Sequence, residues 1–523
     1  MSRFLGSVQR LGRSLLGRAD AACNALYSSR YNPLYHSGAL AAAAFLVLVV
    51  TGLYLLLFYR IGAPYDSVVR LADQAVSGRW IRTLHRYASD LALVAIGVHA
   101  LRMFVQDRAW GPRVLAWVSG IALATIFLLC GWTGYVMVWD VQGQVLAQEG
   151  ARLMDLLPIF SEPLGRTFGG ERPPPNAFFF LNYFAHIALP VGIGIVLWIH
   201  LSRLARPSFL PSRPLLWAMV ALLTAGSILW PAPLPPEADL LRLPTDVPFD
   251  VFYGFWVPIT RRLPAGAAWL LIVGTLGAAL AVPRLTRPTP SPRSEPSWVN
   301  PRVCTGCEQC YHDCPYEAIR MVSRQDGREG FVGFVDPHRC VSCGICSGSC
   351  APMVVGPPER TGRDQVEAVE RFISEVEPRH DSMVLVSCER SAAGRGPVGG
   401  TTSFPVSCAG AVHTSVIEYL VRAGVGGVLI VACPTRDCWH REGGVWLEER
   451  IYHEREAELK ARVDRRRIRI VYAAAYETSL LEGEVDRFRK DIAALDATAA
   501  EPKIDIVSLC QAPSVSIAEE VDA

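Results

Sequence analysis

The sequence predicts a multidomain protein: an all-α transmembrane bundle of about six spans, a small α+β domain folded around cysteines, and a small α/β domain with a parallel sheet. Three observations carry this. Long uncharged runs fill the first 285 of the 523 residues, whereas the remainder has the composition of a water-exposed protein. The run CxxCxxCxxxC occurs twice, beginning at Cys304 and at Cys340. Beyond residue 381, short apolar stretches alternate with amphipathic ones, the pattern of strands and helices in a parallel sheet.

In chain order, residues 1–35 hold Arg3, Arg10, Arg13, Arg18 and Arg30 against one acid, Asp20. That balance suits a basic amphipathic segment lying on a membrane surface. The spans occupy residues 36–283. Residues 37–59 are 23 positions without a charge and residues 114–139 are 26, and about 20 suffice to cross a bilayer. Residues 82–103 and 176–201 are spans carrying histidines, and 214–236 and 263–283 complete six, with prolines crowding the end of the fifth. Six crossings leave both ends on one side. The loops there carry Arg102, Arg108, Arg113, Arg203, Arg206 and Arg213 against the single acid Asp107. The positive-inside rule then places both termini in the cytoplasm, in the inner membrane of a bacterium or archaeon. A net charge of +2 gives no reason to expect a nucleic-acid partner.

The second span carries His85 and His99, and the fourth carries His186 and His200, each pair fourteen residues apart. Fourteen helical steps return the side chain to within roughly 40° of its starting face and about 21 Å along the axis. Side by side, two such helices hold two imidazole pairs, one above the other. A ladder of two bis-histidine haems is the reading that two helices sharing one spacing support, against hydrogen-bonded structural histidines. With the termini cytoplasmic, His85 and His186 pair near the outer face and His99 and His200 near the inner one.

On these residues the chain resembles cytochrome b of the quinol-oxidising bc and b6f complexes, over roughly residues 30–285. Gly38 and Gly52 on the first span and Gly120 and Gly134 on the third repeat the same fourteen-residue spacing. In the family such glycines let the haem planes approach the backbone. Pro190 follows His186 by four residues, as in the bc type. Arg82 and Arg102 stand where the family places haem-propionate partners. Tyr135, Trp139 and Asp140 lie in a stretch similar to the family's outer quinol-site loop, with Val138 where proline is usual. The family's PEWY-type motif has its nearest counterpart at 248–253, with Asp250 offset from the expected glutamate. The resemblance implies two b-type haems, a quinone substrate and a homodimer in lipid. His36 at the position of the b6-type cysteine implies no covalent haem, and Cys23 and Cys130 read as inert thiols.

Residues 284–298, rich in proline, serine and arginine, read as a linker. Residues 299–356 then resemble a bacterial two-cluster ferredoxin. In that pattern three thiolates of one run hold a cubane and the fourth cysteine reaches the other cluster. One [4Fe–4S] cluster takes Cys304, Cys307, Cys310 and Cys350; the other takes Cys340, Cys343, Cys346 and Cys314. Zinc is the alternative that CxxC pairs always raise, and the doubled run disfavours it.

Residues 381–495 form the third domain, with 501–523 a polar tail containing Cys510. Residues 383–388, 427–433 and 468–473 read as strands, and 414–423 and 485–495 as helices. Cys388, Cys408, Cys433 and Cys438 gather where a parallel sheet places its sites, at the strand ends. By spacing alone they fit a [2Fe–2S] cluster, a zinc site or redox thiols. Cys433-Pro434-x3-Cys438-Trp439-His440, followed by Gly443 and Gly444, resembles the delta subunit of the methyl-viologen-reducing hydrogenase. That resemblance implies a [2Fe–2S] cluster on the four cysteines and a soluble heterodisulfide-reductase-like flavoprotein as partner.

The expected function is a wire. Electrons pass between that flavoprotein and the quinone pool through the small cluster, two cubanes, an inner haem and an outer haem, in the quinone-reactive subunit of an oxidoreductase. The alternative is a membrane anchor and docking relay without a quinone site of its own.

Overall fold

The computed structural model describes residues 2–158, 162–168, 174–205, 209–242, 247–287, 295–453, 455, 457–475 and 477–500. Cys510 and the tail lie outside the described residues, as does 288–294 of the expected linker. The chain divides into two units, Met1–Arg293 and Ser294–Ala523.

The first unit is helical. α1 (Ser2–Tyr31) is followed by α2 (Ser37–Leu56), the short α3 (Pro64–Asp73) and α4 (Gly78–Val105). Then come α5 (Val114–Val138), α6 (Val141–Met154), α7 (Asn176–Ile199), α8 (Arg213–Leu229) and α9 (Ala265–Leu285). Among the described residues five helices are long and apolar enough to cross a membrane: Ser37–Leu56, Gly78–Val105, Gly111–Val138, Asn176–Ser202 and Ala265–Leu285. The fifth expected crossing, at 214–236, is the 17-residue α8, a shorter apolar helix. It stops at Leu229, and Pro231, Pro233, Pro235 and Pro236 then hold the chain out of helix. α2 packs along α4 and α5 along α7, which brings the two histidine helices together with the two glycine helices. α7 contains Pro190 and ends in a π-helical turn, His200–Ala205, that begins at a histidine.

α1 is pinned to this bundle by a buried ion pair. The Arg102 fork donates to both oxygens of Asp20, at 3.0 and 3.1 Å, and both side chains are buried. The guanidinium also lies over the Tyr35 ring, 4.7 Å from its centroid. Bidentate geometry compensates two desolvated charges, whereas removing one partner strands the other. Asp20→Ala is therefore expected to cost about 3–5 kcal/mol. Thermal unfolding of the wild type and variant in one detergent checks it, and a shift no larger than that of a surface substitution refutes it.

The second unit opens with a cysteine-bound domain. β1 (Trp298–Val299) pairs antiparallel with β4 (Val355–Gly356), and β2 (Ile319–Ser323) with β3 (Phe331–Val335). The following domain has four parallel strands in the order β6-β5-β7-β8: β5 (Met383–Cys388), β6 (Thr402–Val406), β7 (Gly427–Ala432) and β8 (Ile468–Tyr472). β6 carries Pro405, which an edge strand tolerates because one side of it needs no ladder bond. Every residue of β5 and β7 is buried, as expected of central strands covered on both faces. Val384 and Val386 face the helices α10 (Gly362–Val376), α11 (Thr414–Arg422) and α12 (Gly443–Tyr452). Met383 and Leu385 face α13 (Thr478–Ala500). α10 begins at a capping box of Thr361 and Asp364, and its Val369 sits in the same core as β5 and β7. The α/β domain thus begins about twenty residues before the expected 381.

Candidate functional site

The four intramembrane histidines meet in two pairs. The His85 and His186 rings have centroids 6.5 Å apart, and His99 lies within electrostatic range of His200. Two metal–nitrogen bonds of roughly 2 Å, each with an imidazole radius behind it, span about 6 Å. His85 and His186 are thus set at a separation that would let the two imidazoles hold one metal between them.

The rings are held from behind by the neighbouring helices. Thr51 Oγ donates to the Val47 carbonyl at 2.7 Å and meets His85 Nδ1 at 2.8 Å. Ser119 Oγ donates to Ala116 and meets His200 Nδ1 at 2.8 Å. Thr133 Oγ donates to Cys130 and meets His186 Nδ1 at 3.0 Å, where the Cys130 carbonyl also accepts at 2.9 Å. With each hydroxyl proton already given to a helix carbonyl, its oxygen accepts from the ring. That fixes the Nδ1–H tautomer and leaves Nε2 as the lone-pair nitrogen, the arrangement a metal-binding imidazole needs.

Each hydroxyl directly precedes one of the glycines. A Cβ on Gly52 would stand 3.4 Å from the His85 ring, one on Gly120 3.7 Å from His200, and one on Gly134 2.9 Å from His186. A Cβ on Gly38 would meet His99 Nδ1 at 2.9 Å. Gly38 and Gly134 thus leave room for an imidazole that a Cβ would crowd, whereas at Gly52 and Gly120 a Cβ would make only ordinary contact. Ser37 completes the pattern of hydroxyl-glycine dipeptides, although its buried Oγ has no partner among the described residues. The sequence reading used the glycines and missed the four hydroxyls; their fourteen-residue repeat was the available signal.

A cavity of about 200 Å³ opens beside the His85–His186 pair. His85, His186, Gly52, Gly134, Arg82, Tyr135 and Asp140 line it, together with two residues the sequence reading passed over, Arg86 and Asp90. Arg82 donates one Nη to the Ala232 carbonyl, and its buried Nε has no partner among the described residues. A donor aimed there without an acceptor suits a haem propionate. Arg102 does not share that role: Asp20 occupies its fork.

Two of the four residues expected at a quinone site lie elsewhere. Asp250 accepts from Tyr135 Oη, from Arg86 Nη2 at 3.0 Å and from the amides of Phe252, Tyr253 and Gly254. It holds a turn in place and is not part of the cavity wall. Trp139, at φ 58°, is buried among Phe168, Phe178 and Phe179. Its left-handed turn swings Asp140 into position to cap α6, where Asp140 accepts from the Gly143 amide at 2.8 Å. Burial pushes the Asp140 carboxyl up to about 6 despite that amide.

In the second unit the cysteines sort into the sets that their spacing implies. Cys304, Cys307, Cys310 and Cys350 ring one small cavity. Cys314, Cys340, Cys343 and Cys346 ring another. Each set of four cysteines lines its own void, an arrangement that fits a cubane. Amides of Ala318, Val354 and Ser297 point at the sulfurs of Cys314, Cys350 and Cys340, each at 3.3 Å. Such donors stabilise thiolate ligands and tune cluster potentials.

Cys388 ends β5, Cys408 follows β6, and Cys433 and Cys438 follow β7, so all four lie at the carboxyl edge of the sheet, buried. Cys388 and Cys433 sulfurs are 3.6 Å apart. Beside them Tyr316 Oη meets His440 Nδ1 at 3.3 Å, which makes His440 a neighbour of the set. Cys343 and Cys408 share one small apolar cluster with Ile345, Ala411 and Trp446. One cubane site thus borders the four-cysteine site.

Comparison with known proteins agrees with this division. Residues 23–207 match the family model for cytochrome b/b6/petB, 303–353 the 4Fe-4S dicluster domain, and 400–496 the methyl-viologen-reducing hydrogenase delta subunit. The chain is similar to the menaquinol:cytochrome c reductase cytochrome b subunit of Geobacillus thermodenitrificans, 23% identical over 154 residues, 29% of this chain and 69% of that one. It is also similar to a chain of a hyperthermophilic respiratory Complex III, at 17% identity and a TM-score of 0.39, covering 48% of this chain and 75% of that one. These matches imply b-type haem and [4Fe–4S] clusters. The protein is a multi-pass membrane electron-transfer subunit.

Proposed function

We propose that this chain exchanges electrons between the quinone pool and a soluble heterodisulfide-reductase-like flavoprotein. The carriers are a [2Fe–2S] cluster on Cys388, Cys408, Cys433 and Cys438, two [4Fe–4S] clusters, an inner haem on His99 and His200, and an outer haem on His85 and His186. When bound, haems and clusters supply one-electron steps, and the chain supplies spacing and potential. In this reading the shorter apolar α8 serves as the sixth crossing, both termini are cytoplasmic, and the iron–sulfur unit lies on the flavoprotein's side.

The observation that carries the quinone assignment is the cavity that the outer histidines share with Tyr135, Asp140, Arg86 and Asp90. Oxidising a quinol releases two electrons and two protons, so the site needs bases as well as an electron acceptor nearby. Asp140 and Asp90 are the carboxylates on the wall. Asp140, raised to about 6 from an ordinary aspartate near 3.9, is deprotonated above that value and ready to take a proton.

Two measurements test this. A quinone analogue added to the isolated protein is expected to shift the outer-haem spectrum; an unmoved spectrum leaves the relay without a quinone site. Quinol oxidation is expected to fall as pH drops through about 6, because protonated Asp140 no longer accepts. Asp140→Asn keeps the helix cap, yet should remove that inflection and slow oxidation about 100-fold. An unchanged profile would exclude Asp140 as the base.

A further inference from the structure

Arg450 is a buried cation that the electron route above does not use. It stands on α12, fully buried. Its Nε donates to the Trp446 carbonyl at 2.9 Å and one Nη to the Gly410 carbonyl at 2.6 Å. The other Nη has no partner among the described residues. It presses against Gly348, in the turn between Cys346 and Cys350, where any Cβ would collide with it. Gly410 follows Cys408 by two residues, so the guanidinium sits between one cubane site and the four-cysteine site.

Among the described residues no carboxylate accepts from it. Asp313, which acts on it electrostatically, is committed to Arg455 and to Ser349 Oγ, the latter at 2.5 Å. A guanidinium without a bonded counter-ion is expensive to bury. Asp313 and the sulfurs of Cys408 and Cys346, which would be thiolates when holding clusters, offset burial and the neighbouring Arg455, and its pKa is lowered only to about 10. The charge therefore persists at neutral pH. Taking up an electron adds one negative charge to either centre, and a fixed cation in a low-dielectric interior stabilises that product.

We propose that Arg450 is the positioning residue that raises the reduction potentials of the two centres it separates, Cys314/Cys340/Cys343/Cys346 and Cys388/Cys408/Cys433/Cys438. One electron leaves one centre and arrives on the other while the guanidinium keeps its proton, so its charge favours the reduced form of each. This rests on the reading that both cysteine sets hold iron–sulfur clusters. Iron analysis and the electron paramagnetic resonance of the wild-type protein test that reading separately.

The experiment is a redox titration of the full-length protein followed by electron paramagnetic resonance, comparing wild type, Arg450→Met and Arg450→Lys. Arg450→Met is expected to make reduction of both neighbouring centres at least tenfold less favourable, a shift of about 59 mV for a one-electron couple. The Cys304/Cys307/Cys310/Cys350 cluster is expected to move less, and Arg450→Lys, which keeps the charge, to stay within threefold of wild type. Unshifted potentials in an Arg450→Met protein with full iron content overturn the proposal, as does an equal shift of all three centres. Should Arg450→Met lose its iron, Asp313→Asn reads the same field with opposite sign. Removing that negative charge must then raise the neighbouring cubane's potential, and no rise overturns the proposal.

Discussion

His85→Ala is expected to remove the outer haem and leave the inner one, with loss of about half the haem absorbance. The two sites share helices but no neighbours. His85 is held by Thr51 and backed by Gly52, and faces His186, which is held by Thr133 and backed by Gly134. His99 is backed by Gly38, and His200 is held by Ser119 and backed by Gly120. About 21 Å of helix axis separates the levels, well past the distance at which substitutions stop influencing one another. The inner haem should therefore keep its spectrum and still be reduced from the iron–sulfur side. Exchange with quinol should cease, because the pool then has no acceptor within its cavity. Haem quantified as the pyridine complex, with low-temperature spectra of His85→Ala and His99→Ala, decides this. If both variants lose the same absorption band, the pairing of one histidine from each helix is wrong.

What the sequence disclosed follows from how far each signal is local. Spacing on one helix is local, so His85 with His99, and His186 with His200, could be read as two levels before any fold was known. The doubled cysteine run is local too, and in the structure Cys350 lies with the first run's three cysteines and Cys314 with the second's. Contacts between distant segments were not legible. Arg102 reads as a propionate partner until α1 delivers Asp20 to it across 82 residues. Asp250 reads as a quinone-site acid until Arg86 and Tyr135, 164 and 115 residues away, claim its oxygens. Asp90 was passed over because its place on the cavity wall depends on α5 and α7. The hydroxyls of Thr51, Ser119 and Thr133 were in plain view, but a hydroxyl on an apolar helix ordinarily bonds its own backbone. Only the fold shows that each also holds an imidazole. The short α8 and the proline-bearing β6 fell to boundary effects, where prolines end a helix early or mark an edge strand.

Cys438→Ser, and equally Cys433→Ser, is expected to abolish haem reduction by the native flavoprotein while leaving haem reduction by dithionite intact. The reason lies in the second unit. The four-cysteine site at the carboxyl edge of the sheet borders the Cys314/Cys340/Cys343/Cys346 site through Cys408, Ala411, Ile345 and Cys343. That contact is apolar, with Cys408, Ala411 and Ile345 buried and Cys343 partly buried, the kind of junction through which an electron can step between adjacent centres. Arg441, stacked on the Tyr316 ring and donating to the Pro315 carbonyl at 2.5 Å, and Arg455, paired with buried Asp313, clamp the two domains across the same junction. Clamped in this way, the four-cysteine centre is the natural first acceptor for a partner that docks on the α/β domain, and the cubanes come after it. Serine at 438 removes a thiolate from that first centre and leaves both cubane sets complete, so a small reductant can still reach them. The measurement is stopped-flow haem reduction by the purified flavoprotein, wild type against Cys438→Ser, with iron content and dithionite reduction as controls. An unchanged rate would mean that the partner delivers electrons to a cubane directly, and the α/β domain would then owe its cysteines to another task.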